Sequence, residues 1–252
     1  MIDKTQNLIR FSLIGITAYI FADILHEVVG HGGVCIIQGH QIELLTSVYF
    51  RSSPGSLVTD IGGPMSNLIF ALIIYLILNR TKSLTLITRL LLLNMMAYNL
   101  FWFSGTILQS SFSKTGDWTF AMTEINIGMF GKFILVVVSI MAYSFSIKLI
   151  KVQVTKFTLH FSEFQLKQSI YYSYFAAAIS AIIAGLFFKA NRGHAAFEAL
   201  LEMVASLPIL FIAIGNKVNL AIYESKSGYI FNFLVCLLFI VFCLTLGQGY
   251  SH

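Results

Sequence analysis

Charge is what this sequence has least of. Only 11% of its 252 residues are Asp, Glu, Lys or Arg, whereas 57% are hydrophobic and the mean hydropathy is +0.82. A soluble domain carries about 25% charged residues, so a water-soluble globule is excluded and a polytopic membrane protein is expected. Cysteine is scarce too. Cys35, Cys236 and Cys243 lie in apolar segments and form no C-x-x-C pair. That excludes a disulfide framework and a thiolate metal knuckle, and leaves three small buried hydrophobes. No basic surface interleaved with aromatics is present, so no nucleic-acid partner is expected. The net charge of +5 is what Lys and Arg beside membrane spans produce. The first apolar run lacks a small-residue cleavage site after it, so that helix is expected to be retained. No internal repeat stands out.

What is present is a series of long apolar runs. About 20 apolar residues cross a bilayer as a helix. Runs of that order cover about 8–38, 61–78, 90–108, 130–150, 170–188, 195–214 and 229–247. The sixth is the weakest because it carries Glu198 and Glu202. The expected fold class is an all-α polytopic membrane protein with six or seven transmembrane helices, a single transmembrane domain over 1–252. The expected location is a bacterial cell membrane, crossed several times. Between the first two runs, residues 41–58 include Ile42, Val48, Tyr49 and Phe50 and a Pro54-Gly55 turn. They predict a short membrane-associated β-hairpin or edge strand. The polar stretch 151–167, with alternating Val152, Val154, Phe157, Leu159 and Phe161, predicts an interfacial strand or linker. Seven spans with the N-terminus inside leave only Arg51, Lys114, Lys132, Lys189 and Arg192 on the far side, as the positive-inside rule favours.

Against this apolar background His26-Glu27-Val28-Val29-Gly30-His31 stands out. Ionisable groups at membrane depth are costly and usually functional. The segment is one residue longer than H-E-x-x-H, in which two His on a helix bind zinc and the Glu is general base. On a regular α-helix positions five apart diverge by about 140°. A π-bulge absorbs one extra residue, and Gly30, Gly32 and Gly33 make such widening cheap. A bulge would bring His31 beside His26; without one, the pair are packed core histidines.

Two further motifs accompany it. Gly62-Gly63-Pro64-Met65-Ser66-Asn67 opens the second span. Pro64 suits a first helical turn, the glycines permit close approach, and Asn67 has amide donors for a substrate carbonyl or oxyanion. After the third span comes Gly116-Asp117-Trp118. Asp117 is either a helix-capping residue or a third metal ligand beside two His. In any up-and-down topology these three places fall on one side of the membrane. Asp23, three residues before His26, is placed to orient its ring, and Asp60 is an alternative third ligand. His194, Glu198 and Glu202 share one helical face at i, i+4 and i+8. They form a second metal site, a proton path, or the polar face of a tilted helix.

The His-Glu motif, the Gly-Gly-Pro-Met-Ser-Asn element, Asn99-Leu100 and the downstream Gly-Asp together resemble the site-2 protease family of intramembrane zinc metalloproteases. The resemblance covers about residues 20–120, within a metalloprotease core at 8–120, and leaves 121–252 as additional helices without an assigned role. It implies a Zn2+ ion held by His26, His31 and Asp117, with Glu27 as general base and Asn67 positioning the substrate. Asn99 falls among the supporting groups. It also implies that residues 41–50 present an extended membrane-protein or peptide substrate by strand addition within the bilayer. The chain departs from the family in its four-residue histidine spacing, in Trp118 where a Gly is usual, and in lacking a Pro after Asn99-Leu100. No PDZ or CBS module is embedded. The family's site faces the cytoplasm, whereas the charge count puts these motifs on the other side. Two other functions suit the same residues: a zinc-dependent lipid amidase, and a non-catalytic metal-binding, metal-moving or regulatory membrane protein.

Overall fold

The first apolar run forms one continuous helix whose winding changes midway. In the computed structural model, which describes residues 4–124, 128–157, 163–212 and 229–251, α1 (Lys4–Asp23) passes directly into a π-helical segment (Ile24–Gly32) and then α2 (Gly33–Ile37). The chain leaves through Gly39, whose φ of 73° needs a residue without a Cβ. It then makes a hairpin of β1 (Gln41–Leu45) and β2 (Phe50–Ser53), antiparallel, with Leu45 opposite Phe50 and Gln41 opposite Ser53. The Thr46 hydroxyl closes the turn by accepting from the backbone N–H of Val48 and Tyr49.

Six helices follow before the last span: α3 (Leu57–Arg80), α4 (Leu86–Phe112), the short α5 (Asp117–Glu124), α6 (Gly128–Phe157), α7 (Glu163–Leu186) and α8 (Arg192–Ala205). A 3₁₀ turn (Leu207–Phe211) extends α8. The chain closes with α9 (Tyr229–Phe242), a π turn (Cys243–Gly247) and β3 (Tyr250–Ser251). Among the described residues seven helical stretches are long and apolar enough to cross a membrane. Large side chains such as Phe130, Phe133, Ile140 and Met141 of α6 stay exposed, as lipid-facing residues do.

Helix α4 is the hub. It packs between α3 and α6 and touches α1, while α7 lies along α1 and carries α8. Leu90, Leu93, Met96, Ala97, Leu100 and Phe101 of α4 are fully buried with Ile14, Ala18 and Tyr19 of α1. A Cβ at Gly15 would run into the backbone of Ser173, so α1 and α7 meet almost backbone to backbone.

Two expectations are corrected. Residues 151–157 are neither strand nor linker: they continue α6, because an apolar helix already under way satisfies its own backbone bonds without a partner. The rest of that stretch, including His160, lies outside the described residues. Pro64 is not in the first turn of its helix, because Ser56 caps α3 a full two turns earlier by accepting from the Thr59 N–H. The expected hairpin is present, and it belongs to a three-stranded sheet of order β2-β1-β3. The chain's last residues cover part of β1, with Leu44 opposite Ser251 and Leu45 opposite Tyr250.

Candidate metal centre

The π winding decides where the motif side chains go. Each π bond reaches from i to i+5, so His26 and His31 fall on the same face. Both are buried with Glu27 and Gly30, while Val28 and Val29 stay exposed. The segment packs against the start of α3. A Cβ at Gly30 would lie 2.7 Å from the Gly62 carbonyl oxygen and 2.8 Å from Ser66 Oγ, and one at Gly63 would strike Nε2 of both histidines. The paired glycines of α3 therefore let a second helix press directly on the imidazoles.

Each ring is held by its Nδ1. His31 Nδ1 donates to the backbone carbonyl of Thr59 at 2.8 Å. Pro64 lies inside α3 and has no N–H to give to its own helix. His26 Nδ1 meets Asn67 Oδ1 at 2.5 Å, Asn67 Nδ2 donates to Asn99 Oδ1 at 2.8 Å, and Asn99 Nδ2 donates to the Met95 carbonyl at 2.7 Å. A backbone carbonyl only accepts, so the polarity of this relay is set from its far end and His26 Nδ1 must carry a proton. In the neutral rings both Nε2 atoms are then bare lone pairs, and they point at one another across 3.2 Å.

Asp117 completes the convergence. It is the first residue of α5, where a carboxylate suits the helix dipole. Gly116 before it takes φ 121° and offers its carbonyl to the Thr119 and Phe120 N–H groups. The carboxylate lies 3.4 Å from His26 Nε2 and 3.6 Å from His31 Nε2. Burial pushes the Asp117 carboxyl up, but His31 and His26 beside it, in their protonated forms, outweigh that and bring it below the usual carboxylate value. It is therefore an anion at neutral pH.

His26, Glu27 and His31 form a buried group whose ligand atoms lie within 4.8 Å of one another, close enough to hold a metal ion. Two carboxylates thus flank the imidazole pair, Glu27 within that group and Asp117 at 3.4 and 3.6 Å. Glu27 keeps one oxygen, Oε2, buried and without a hydrogen-bond partner among the described residues.

Other candidates stand elsewhere. Asp23 does not orient His26, whose Nδ1 is taken by Asn67; both Asp23 oxygens are buried and without a hydrogen-bond partner among the described residues. Asp60 sits in the first turn of α3, while the carboxylate that reaches both rings is that of Asp117. Asn67, expected to face substrate, spends its amide inside the protein on His26 and Asn99, and Asn99 supports Asn67 rather than a metal. Three contributors escape a sequence reading. The Thr59 carbonyl gives no side-chain signal. Phe50 of β2 stacks on His31 at 5.2 Å with the rings 16° from parallel, and Trp102 of α4 meets His26 edge-on at 6.3 Å. No family model, no curated protein and no solved structure matches this chain.

Proposed function

We propose that this chain is a zinc-dependent intramembrane protease that cuts a peptide bond in a transmembrane or membrane-proximal segment, a divergent relative of the site-2 proteases. One observation carries the reading: two imidazoles of fixed tautomer and one carboxylate converge at the spacing of a tetrahedral ion. Zinc bonds of about 2.0–2.1 Å at tetrahedral angles put donor atoms about 3.3 Å apart. The two nitrogens stand 3.2 Å apart, and Asp117 turns one oxygen to each ring, Oδ2 3.4 Å from His26 and Oδ1 3.6 Å from His31. Without a metal ion only a proton on an imidazole Nε2 offsets the repulsion among these buried donors. The donor set of two nitrogens and a carboxylate suits zinc.

His26, His31 and Asp117 would hold the ion. Bound there, Zn2+ supplies Lewis-acid polarisation of the scissile carbonyl and activation of water. Glu27 Oε2, buried and unpaired, takes the proton of the attacking water and returns it to the leaving amide nitrogen. Asn67 and the Thr59 carbonyl hold the two rings in the tautomer that leaves Nε2 free, a positioning role that raises ligand basicity. The resemblance assigned Asn67 to the substrate; its engaged amide favours this role instead.

The substrate is an extended segment in this reading. Since β3 covers part of β1, the outer edge beside the centre is β2, whose Phe50 stacks on His31. An unwound transmembrane peptide pairing with β2 would bring its backbone beside the imidazoles.

Metal content tests the proposal. Purified protein is expected to contain one Zn2+ by elemental mass spectrometry, lost in His26→Ala, His31→Ala and Asp117→Ala, and to cleave a detergent-solubilised transmembrane peptide. A protein free of metal, or one that cleaves a lipid amide but no peptide, overturns it.

A further inference from the structure

The chain is basic overall, yet four of its eleven acidic residues, Asp23, Glu27, Glu198 and Glu202, lie within electrostatic range of one another beside the metal centre. Glu198 and Glu202 are four residues apart on α8 and share a face. Glu202 is within electrostatic range of Asp23, Glu27 and Glu198, and Asp23 of Glu27. Exposure falls along the series. The His194 side chain at the start of α8 is 56% exposed and that of Glu198 is 23% exposed, while Asp23 is 0% and Glu27 5% exposed. The rim is ordered. The Tyr49 hydroxyl meets His194 Nδ1 at 2.5 Å, His194 Nε2 lies 3.8 Å from Glu198, and Gln109 Nε2 donates to Glu198 at 3.2 Å.

The inner stretch is rich in oxygen atoms, and the basic group acting on Glu27 and Glu202 among the described residues is the His26 imidazole of the centre itself. Both Asp23 oxygens, Glu202 Oε2 and Glu27 Oε2 lack a hydrogen-bond partner among the described residues. The Tyr19 hydroxyl, on a fully buried side chain, is within electrostatic range of both Asp23 and Glu202. No Lys or Arg is among the groups acting on these carboxylates. Buried carboxylates without a counter-charge are costly. A cluster of charges of one sign concentrates the opposite ion and speeds its arrival. Spaced, oxygen-only donors suit a divalent cation in transit, and the imidazole pair beyond them suits its retention. The centre's other approach, beside Asp117 and β2, is the one the substrate would use.

We propose that Glu198, Glu202 and Asp23 form an entry route for a divalent cation. The ion is taken up at the His194–Glu198 rim, held in passing by Glu202, Asp23 and the Tyr19 hydroxyl, and delivered past Glu27 to His26 and His31. The route rests on the metal centre proposed above, and its test separates the two. Full-length protein in detergent is stripped with a chelator and mixed rapidly with Co2+, whose visible spectrum reports its ligands. Glu202→Gln and Asp23→Asn are expected to reach the parental stoichiometry and spectrum, but at least about tenfold more slowly. Glu198→Lys, at the partly exposed rim, is expected to load more slowly than Glu198→Gln. Added salt should slow the parent and have less effect on Glu198→Gln. Parental loading rates in Glu198→Lys and Glu202→Gln, with stoichiometry intact, overturn the route and leave the centre standing. Failure of the parent to take up Co2+ overturns the centre, and the route with it. Should a buried variant not fold, Glu198→Lys decides alone.

Discussion

The Nε2 atoms of His26 and His31 stand 3.2 Å apart although the two residues are five positions apart in the chain. A regular α-helix would turn them about 140° from each other. Winding by i→i+5 bonds restores the alignment, and Gly63 of the next helix presses on both rings. Two helices, not one, set the pair.

Replacing Glu27 by Gln separates binding from chemistry. The amide keeps the shape and cannot take a proton. Zinc should remain at parental stoichiometry while peptide cleavage falls by about 10²–10⁴-fold. Metal and turnover are read on the same preparation, and undiminished cleavage would remove Glu27 from the mechanism.

Asn67→Leu removes the acceptor that holds the His26 ring. Loss of such a supporting group weakens metal affinity by about 10–100-fold. Asn99→Leu, one step further along the relay, should have a smaller effect in the same direction. Competition against a chelator of known affinity gives both numbers, and equal affinities in parent and Asn67→Leu would contradict the relay.

Gly63→Ala tests the close approach of α3. A Cβ there collides with both Nε2 atoms, so metal uptake is expected to be lost even though both histidines remain. Gly193→Ala, where a Cβ meets nothing within 4 Å, should keep its metal and change stability by no more than about 1 kcal/mol. Metal content and thermal melting are measured side by side; a Gly63→Ala protein loaded normally would rule out the packing described.

Metal removal should destabilise the fold. Zinc at about 100 times its Kd adds about 2.7 kcal/mol by mass action, so a chelator is expected to lower the melting temperature in detergent and added Zn2+ to restore it. His31→Ala should show neither shift. A parent whose melting ignores both reagents does not bind the ion in its folded state.

Much of the architecture was legible because hydrophobicity is a local property. The seven apolar runs of the sequence reappear as seven helical stretches long enough to cross a membrane. The hairpin over 41–53 was visible in its β-branched and aromatic residues and its turn. Two places misled. The alternation of Val152, Val154 and Phe157 looked like a strand but lies on the continuation of α6, since two residues of period say little inside a helix already bonded. Pro64 looked like a helix start, but Ser56 had already capped the helix.

The site was legible in its residue types and not in its wiring. Composition and the His26-Glu27-His31 segment determined, with no structure, that a membrane protein carries a costly ionisable cluster in its first helix. The order of the spans determined that Asn67 and Asp117 return to the same side. Only the tertiary structure decided that Asn67 rather than Asp23 orients His26, that the Thr59 carbonyl holds His31, that Asp117 reaches both rings, and that Tyr250 and Ser251 join the sheet. The reason is physical. Burial follows from each segment's own composition, but a buried polar group must find its partner in whichever element packs against it, and those partners lie 28–41 residues away or more.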